Sequence, residues 1–166
     1  MPATGVAASN VDIYQVNATF LDALGGDERA YLAARALQFF LPGVPQVYYV
    51  GALGGRNDMD LLARTGVGRD INRHHFTSDE IDDALATPFV HSLGCLARLR
   101  NRLAAFEGDC EVHAVGAGIR VVRWSGDSRA ILDVDLSSGA ASIAWTDPGG
   151  DGEIRDLLSG PLSVVG

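Results

Sequence analysis

The hydrophobic pattern of this chain changes once, near residue 107. Before that point apolar residues recur at helical spacing; after it they alternate with polar ones in short runs. ERAYLAARALQFFL, following Asp27 as an N-cap with Glu28 in the first turn, places Tyr31, Ala34, Leu37, Gln38 and Leu41 three or four apart and predicts a helix. Pro42 and Gly43 stop it. The apolar run VPQVYYV that follows, bounded by Pro45 and the glycines at 51, 54 and 55, reads as a buried parallel strand over 46–50. NDMDLLARTG predicts a short helix ended by Gly66, and GRDINRHHF is a polar loop. Ser78, Asp79 and Glu80 open another helix; Pro88 interrupts it before Phe89, Leu93, Leu96, Leu99 and Leu103 resume the period. Beyond Gly108, CEVHAV, IRVVRW, RAILDVDL and ASIAW are separated by GAG, SGDS, SSG and DPGGDG, the pattern of antiparallel strands joined by tight turns. The expectation is an α/β part at 1–107 and a small antiparallel all-β part at 108–166.

Composition narrows the function. The formal net charge is -8, from 21 acidic and 13 basic residues, which argues against nucleic-acid binding because phosphate neutralisation needs clustered cations. Neutral, sugar-like ligands fit better. The two cysteines, Cys95 and Cys110, lie in no metal-ligand spacing, so a reducing, cytoplasmic setting is expected. His91 and Cys95 sit four apart on a helix, but two ligands without a third read as ordinary helix residues. No apolar run reaches the roughly 18 residues of a membrane span, and no membrane partner is expected. The glycines after residue 50 form neither GxGxxG nor a P-loop and read as turn residues.

The segments VDIYQVN (11–17), YLAARALQFFLPGVPQVYYVGALGGRNDMDLLARTGVGRDINRHHF (31–76) and LARLRNRLAAFEG (96–108) resemble the sucrose phosphorylases, α-amylase-like enzymes of glycoside hydrolase family 13. The resemblance implies the C-terminal part of a (β/α)8 TIM barrel, then a small β domain. A whole barrel needs about 250 residues. It also implies a retaining glucosyl transfer from sucrose to phosphate, giving glucose 1-phosphate and fructose, with inorganic phosphate as substrate and no cofactor. Related phosphorylases use glucosylglycerol, glucosylglycerate or sucrose 6'-phosphate.

Four residues carry the family's binding roles by position. Asp12 and Gln15 would hydrogen-bond fructosyl hydroxyls, Tyr14 would hold phosphate, and Arg69 would anchor the donor glucose; Arg73 and His74 would shape the loop. Retaining transfer also needs two carboxylates about 5–5.5 Å apart. Asp12, Asp22, Asp58, Asp60, Asp70 and Asp79 do not read as such a pair, and most read as solvated or capping acids. The family's nucleophilic Asp, acid/base Glu and stabilising Asp come from strands that precede the Asn10 loop, so no catalytic residue is expected in this chain. It should be inactive alone, its natural partner being the missing N-terminal barrel part. The competing expectation is a non-catalytic carbohydrate-binding or interaction module built on the β-rich part.

Overall fold

A computed structural model describes residues 16–158. They gather into two compact units. One holds Val47–Val90 with the segment ending at Asp27; the other holds Glu28–Gln46 with the chain from His91 onward. Compactness thus groups the long helix at 28–40 with the β-rich part, whereas the change of sequence grammar at 107 marks where helices give way to strands.

The second unit is built on a five-stranded antiparallel meander, β1 Asp109–Val115, β2 Gly118–Ser125, β3 Ser128–Asp135, β4 Ala141–Thr146 and β5 Gly152–Ile154, paired in chain order. Alternation puts Val121, Leu132, Ile143 and Ile154 in one row across four strands. All four are at most 5 % exposed. Each such burial contributes roughly 1.5–3 kcal/mol. Helix α2, Glu28–Phe40, packs on β2, β3 and β4. It buries Tyr31, Leu32, Ala33, Arg35, Ala36, Phe39 and Phe40. That face differs from the predicted one: Tyr31 is common to both, while Ala34, Leu37 and Gln38 are half-buried and Leu41 is exposed. With Leu, Phe and Ala distributed around the helix, the covered side is set by what packs on it.

Arg123 on β2 is 3 % exposed. Its guanidinium donates to the carbonyls of Phe40 at 3.2 Å, Phe106 at 2.6 Å and Gly108 at 3.1 Å. Phe40 ends α2, and Phe106 lies in the 3₁₀ turn Ala104–Glu107, so the cation satisfies carbonyls that a helix end leaves unpaired. Arg100 does the same for Phe39 and Gly43.

The first unit contains the helices α1 Phe20–Ala23, α3 Tyr49–Ala52, α4 Met59–Thr65 and α5 Ser78–Ala86, and a 3₁₀ turn at Gly68–Asn72. Helix α6, Pro88–Arg102, starts on Pro88, where a missing N–H costs nothing. Gly66 ends α4 with φ 65°, the left-handed C-cap expected of it. Thr77 and Glu80 form a reciprocal capping box at the start of α5.

One element departs from expectation. Residues 44–48 form neither helix nor strand, and Tyr48, extended at φ -68°, ψ 147°, leads into α3, which Tyr49 and Val50 open. Val44 is 89 % and Tyr48 55 % exposed. A parallel strand exists by virtue of neighbours on both edges, and an apolar run by itself supplies none. Strand β5 adds a member that the alternation in ASIAW and its predecessors did not announce.

Candidate functional site

The polar loop between α4 and α5 is pinned from both sides. Inside, Ile71 is fully buried against Leu62 of α4, and the Asp58 amide donates to the Ile71 carbonyl at 2.7 Å. The segment before α4 is tied back in turn: the Thr19 amide donates to Asn57 Oδ1 at 2.7 Å, and Asp22 accepts from the Asn57 amide and from Arg56.

Outside, His74 bridges the starts of two helices. Its Nδ1 lies 2.7 Å from Asp58 Oδ2 and its Nε2 3.2 Å from Glu80 Oε1. Asp58 is the N-cap of α4, its other oxygen accepting from the Leu61 amide at 2.7 Å. Glu80 completes the cap of α5 through Thr77. Each carboxylate therefore serves a helix start with one oxygen and the imidazole with another contact. Phe76 packs edge-on to His74 at 4.7 Å, and the Tyr49 hydroxyl donates to the His74 carbonyl at 2.7 Å.

The electrostatics follow from these contacts. The Leu61 amide, then His74, hold the Asp58 carboxyl below the usual carboxylate range. The hydrogen bond to Asp58, aided by Glu80, raises the His74 pKa against the opposing effect of burial. Thr77 lowers that of Glu80. Two anionic caps on either side of the ring thus favour the cationic form of the imidazole over what a solvated His would show.

Asp58 and His74, with Gly55, Arg56, Asn57, Met59, Asp60 and Phe76, line an open cleft of about 410 Å³. Arg69 does not line it. It stands exposed on the 3₁₀ turn, with no hydrogen bond or ion pair among the described residues, while Arg73 reaches Asp70 at 3.9 Å. Asp12, Tyr14 and Gln15 lie outside the described residues. Of the four predicted binding residues the structure thus places Arg69, on a turn held by Ile71 within and His74 without. The bridge through His74 joins residues 16 and 6 apart, and nothing in local spacing announces it.

Elsewhere, Cys95 is fully buried and accepts from Arg98 at 2.9 Å. Among the described residues no group of three or more His, Cys, Asp or Glu side chains could hold a metal. Nor is any helix among them long and apolar enough to cross a membrane.

No family model matches the chain. Individual proteins do. It is 47 % identical over 172 residues to the sucrose phosphorylase of Bifidobacterium adolescentis, covering 98 % of this chain and 34 % of that protein. The sucrose phosphorylase of Agrobacterium vitis is 56 % identical over 142 residues, covering 85 % and 29 %. The solved structure of sucrose 6F-phosphate phosphorylase from Thermoanaerobacter thermosaccharolyticum superposes with a TM-score of 0.79 at 38 % identity, covering 85 % of this chain and 29 % of that one. The chain spans about a third of the length of the curated relatives it matches, in their C-terminal part.

Proposed function

We propose, from this chain's membership of the sucrose phosphorylase family as its C-terminal portion, that it supplies substrate-gripping residues of a retaining glucosyl phosphorylase. In this reading residues 1–107 are the last part of the catalytic (β/α)8 barrel and residues 108–166 the β domain that follows. The reaction takes sucrose and inorganic phosphate to glucose 1-phosphate and fructose, with no cofactor. A carboxylate of the preceding barrel part displaces fructose from the glucosyl C1, and phosphate then displaces the carboxylate, so configuration is retained. Arg69 would hold the far hydroxyls of the glucose with its planar fork; Asp12 and Gln15 would hold fructose and Tyr14 phosphate.

One observation carries this: 47 % identity to a sucrose phosphorylase over 98 % of the chain, a span that includes these residues. The braced, exposed placement of Arg69 supports its role, because a guanidinium held on a fixed turn loses less freedom on binding. The two free cysteines accord with a cytoplasmic site of action.

The test is phosphate-dependent fructose release from sucrose. The purified 166-residue chain is expected to show none, and co-expression with the preceding portion of a sucrose phosphorylase to restore it. In the restored enzyme Arg69→Ala should lower kcat/KM about 10- to 100-fold, the worth of one or two charge-assisted hydrogen bonds. Turnover by the chain by itself, or an Arg69→Ala enzyme as efficient as the parent, would overturn the reading.

A further inference from the structure

The outer face of the β-sheet carries a second cleft, of about 490 Å³, which the reading above does not use. That size falls within the range of about 300–1,000 Å³ typical of small-ligand clefts. Its origin lies in the strand register. Trp124 on β2 faces Arg129 on β3, which faces Thr146 on β4; two residues along, Glu111 on β1 faces Val122. Alternation puts all five on the face opposite the Val121–Leu132–Ile143 row. The Gly126–Asp127 turn, opened by Gly126 at φ 54°, closes one end.

Val122 is buried beneath this face and Trp124 is half-buried, so the cleft has an apolar floor and an indole wall. Around them stand two carboxylates, Glu111 and Asp127, one guanidinium, Arg129, and one hydroxyl, Thr146, all exposed. Glu111 keeps one contact, to His113 at 3.2 Å. Arg129 has no hydrogen bond or ion pair among the described residues. The contrast lies farther along the same face: Arg120, opposite Asp133, forms a two-pronged pair at 2.7 and 2.9 Å. Arg129 has Trp124 and Thr146 opposite it instead, so the register leaves its fork available.

This set selects its ligand by chemistry. An indole wall takes the C–H face of a pyranose ring, while carboxylates and a fork of donors meet hydroxyls around its rim. Two carboxylates repel phosphates and nucleotides, and a lone guanidinium between them disfavours a fully cationic ligand. We infer that this cleft is a binding site for a neutral glycoside, separate from Arg69, with Trp124 as its stacking platform and Arg129 as its hydroxyl donor.

The test uses the purified chain, titrated with sucrose, maltose and methyl α-glucoside, and read by Trp fluorescence and saturation-transfer NMR. Saturable binding in the millimolar range by at least one probe is expected. Trp124→Ala and Arg129→Ala should each weaken it about tenfold, Trp124→Phe should retain most of it, and Arg155→Ala, exposed and outside the cleft lining, should leave it unchanged. Arg129 and Thr146 are exposed, so Arg129→Ala and Thr146→Val decide the matter should Trp124→Ala fail to fold, as judged by circular dichroism. No saturable binding of any probe, or binding indifferent to Arg129→Ala, overturns the inference. Binding lost in Arg69→Ala and kept in Arg129→Ala also overturns it and assigns the sugar to the Arg69 loop.

Discussion

Replacing Asp58 with Ala removes two hydrogen bonds at once and should loosen the loop that carries Arg69. One is the N-cap of α4, the bond accepted from the Leu61 amide at 2.7 Å, whose loss costs about 1 kcal/mol. The other is the charged contact to His74 at 2.7 Å. The Asp58 side chain is 15 % exposed and the His74 ring 31 %, so solvent screening cuts that contact to about 1 kcal/mol. Together they give about 2 kcal/mol, or ~30-fold in a local opening equilibrium. Asp58→Asn keeps a cap acceptor and loses the charge, so it should cost about 1 kcal/mol and ~5-fold.

Hydrogen exchange across residues 58–76 measures the opening, and NMR titration of His74 measures the coupling. The pH dependence has a definite sign. His74 gains protons on folding, so its contribution is complete below 6.5 and fades as pH rises through its elevated folded value. Asp58 is depressed, so its contribution is present above 3.8 and fades as pH falls below that value. Protection of the loop should therefore peak between the two and weaken as pH rises through the elevated folded value of His74. Asp58→Asn should flatten the alkaline side and return His74 toward its ordinary value. An Asp58→Asn chain whose loop exchange, pH slope and His74 titration match the parent would refute the bridge as the element that holds this loop.

Two further outcomes are expected. Arg123→Met should destabilise the β-rich unit by about 3 kcal/mol, read by urea denaturation, since three carbonyls lose their donor within a buried site. The exposed Val44 and Tyr48, on a segment outside any helix or strand among the described residues, should make the isolated chain self-associate; light scattering should fall for a Val44→Lys, Tyr48→Lys double variant without change in circular dichroism.

The first four strands were legible because strand alternation and turn glycines are local signals. GAG, SGDS and SSG each sit between short runs rich in β-branched and aliphatic residues, and the observed hairpins follow; burial alternates along β3, whereas β2 buries Val121, Val122 and Arg123 in succession. Helix α2 and the Gly66 cap were legible for the same reason. Residues 46–50 were not: VYYV satisfies strand propensity equally as a ladder member or as an extended lead into α3. The Asp58–His74–Glu80 bridge was not legible either. His74 was expected to shape its loop, and the structure agrees, but its partners are chosen by where α4 and α5 begin in space.

The sequence by itself determined the family, the position of Arg69 in GVGRDINR, and the places where helix gives way to strand. These rest on residue identity and on periods of two and 3.6, which short-range sterics impose. Tertiary structure alone decided which side of α2 is covered, why Arg123 stands buried among helix-end carbonyls, and how one imidazole ties two helix caps together. It also set Trp124, Arg129 and Thr146 in one row. Each of these depends on residues far apart in the chain meeting at hydrogen-bond or packing distance, which the order of residues encodes only through the completed fold.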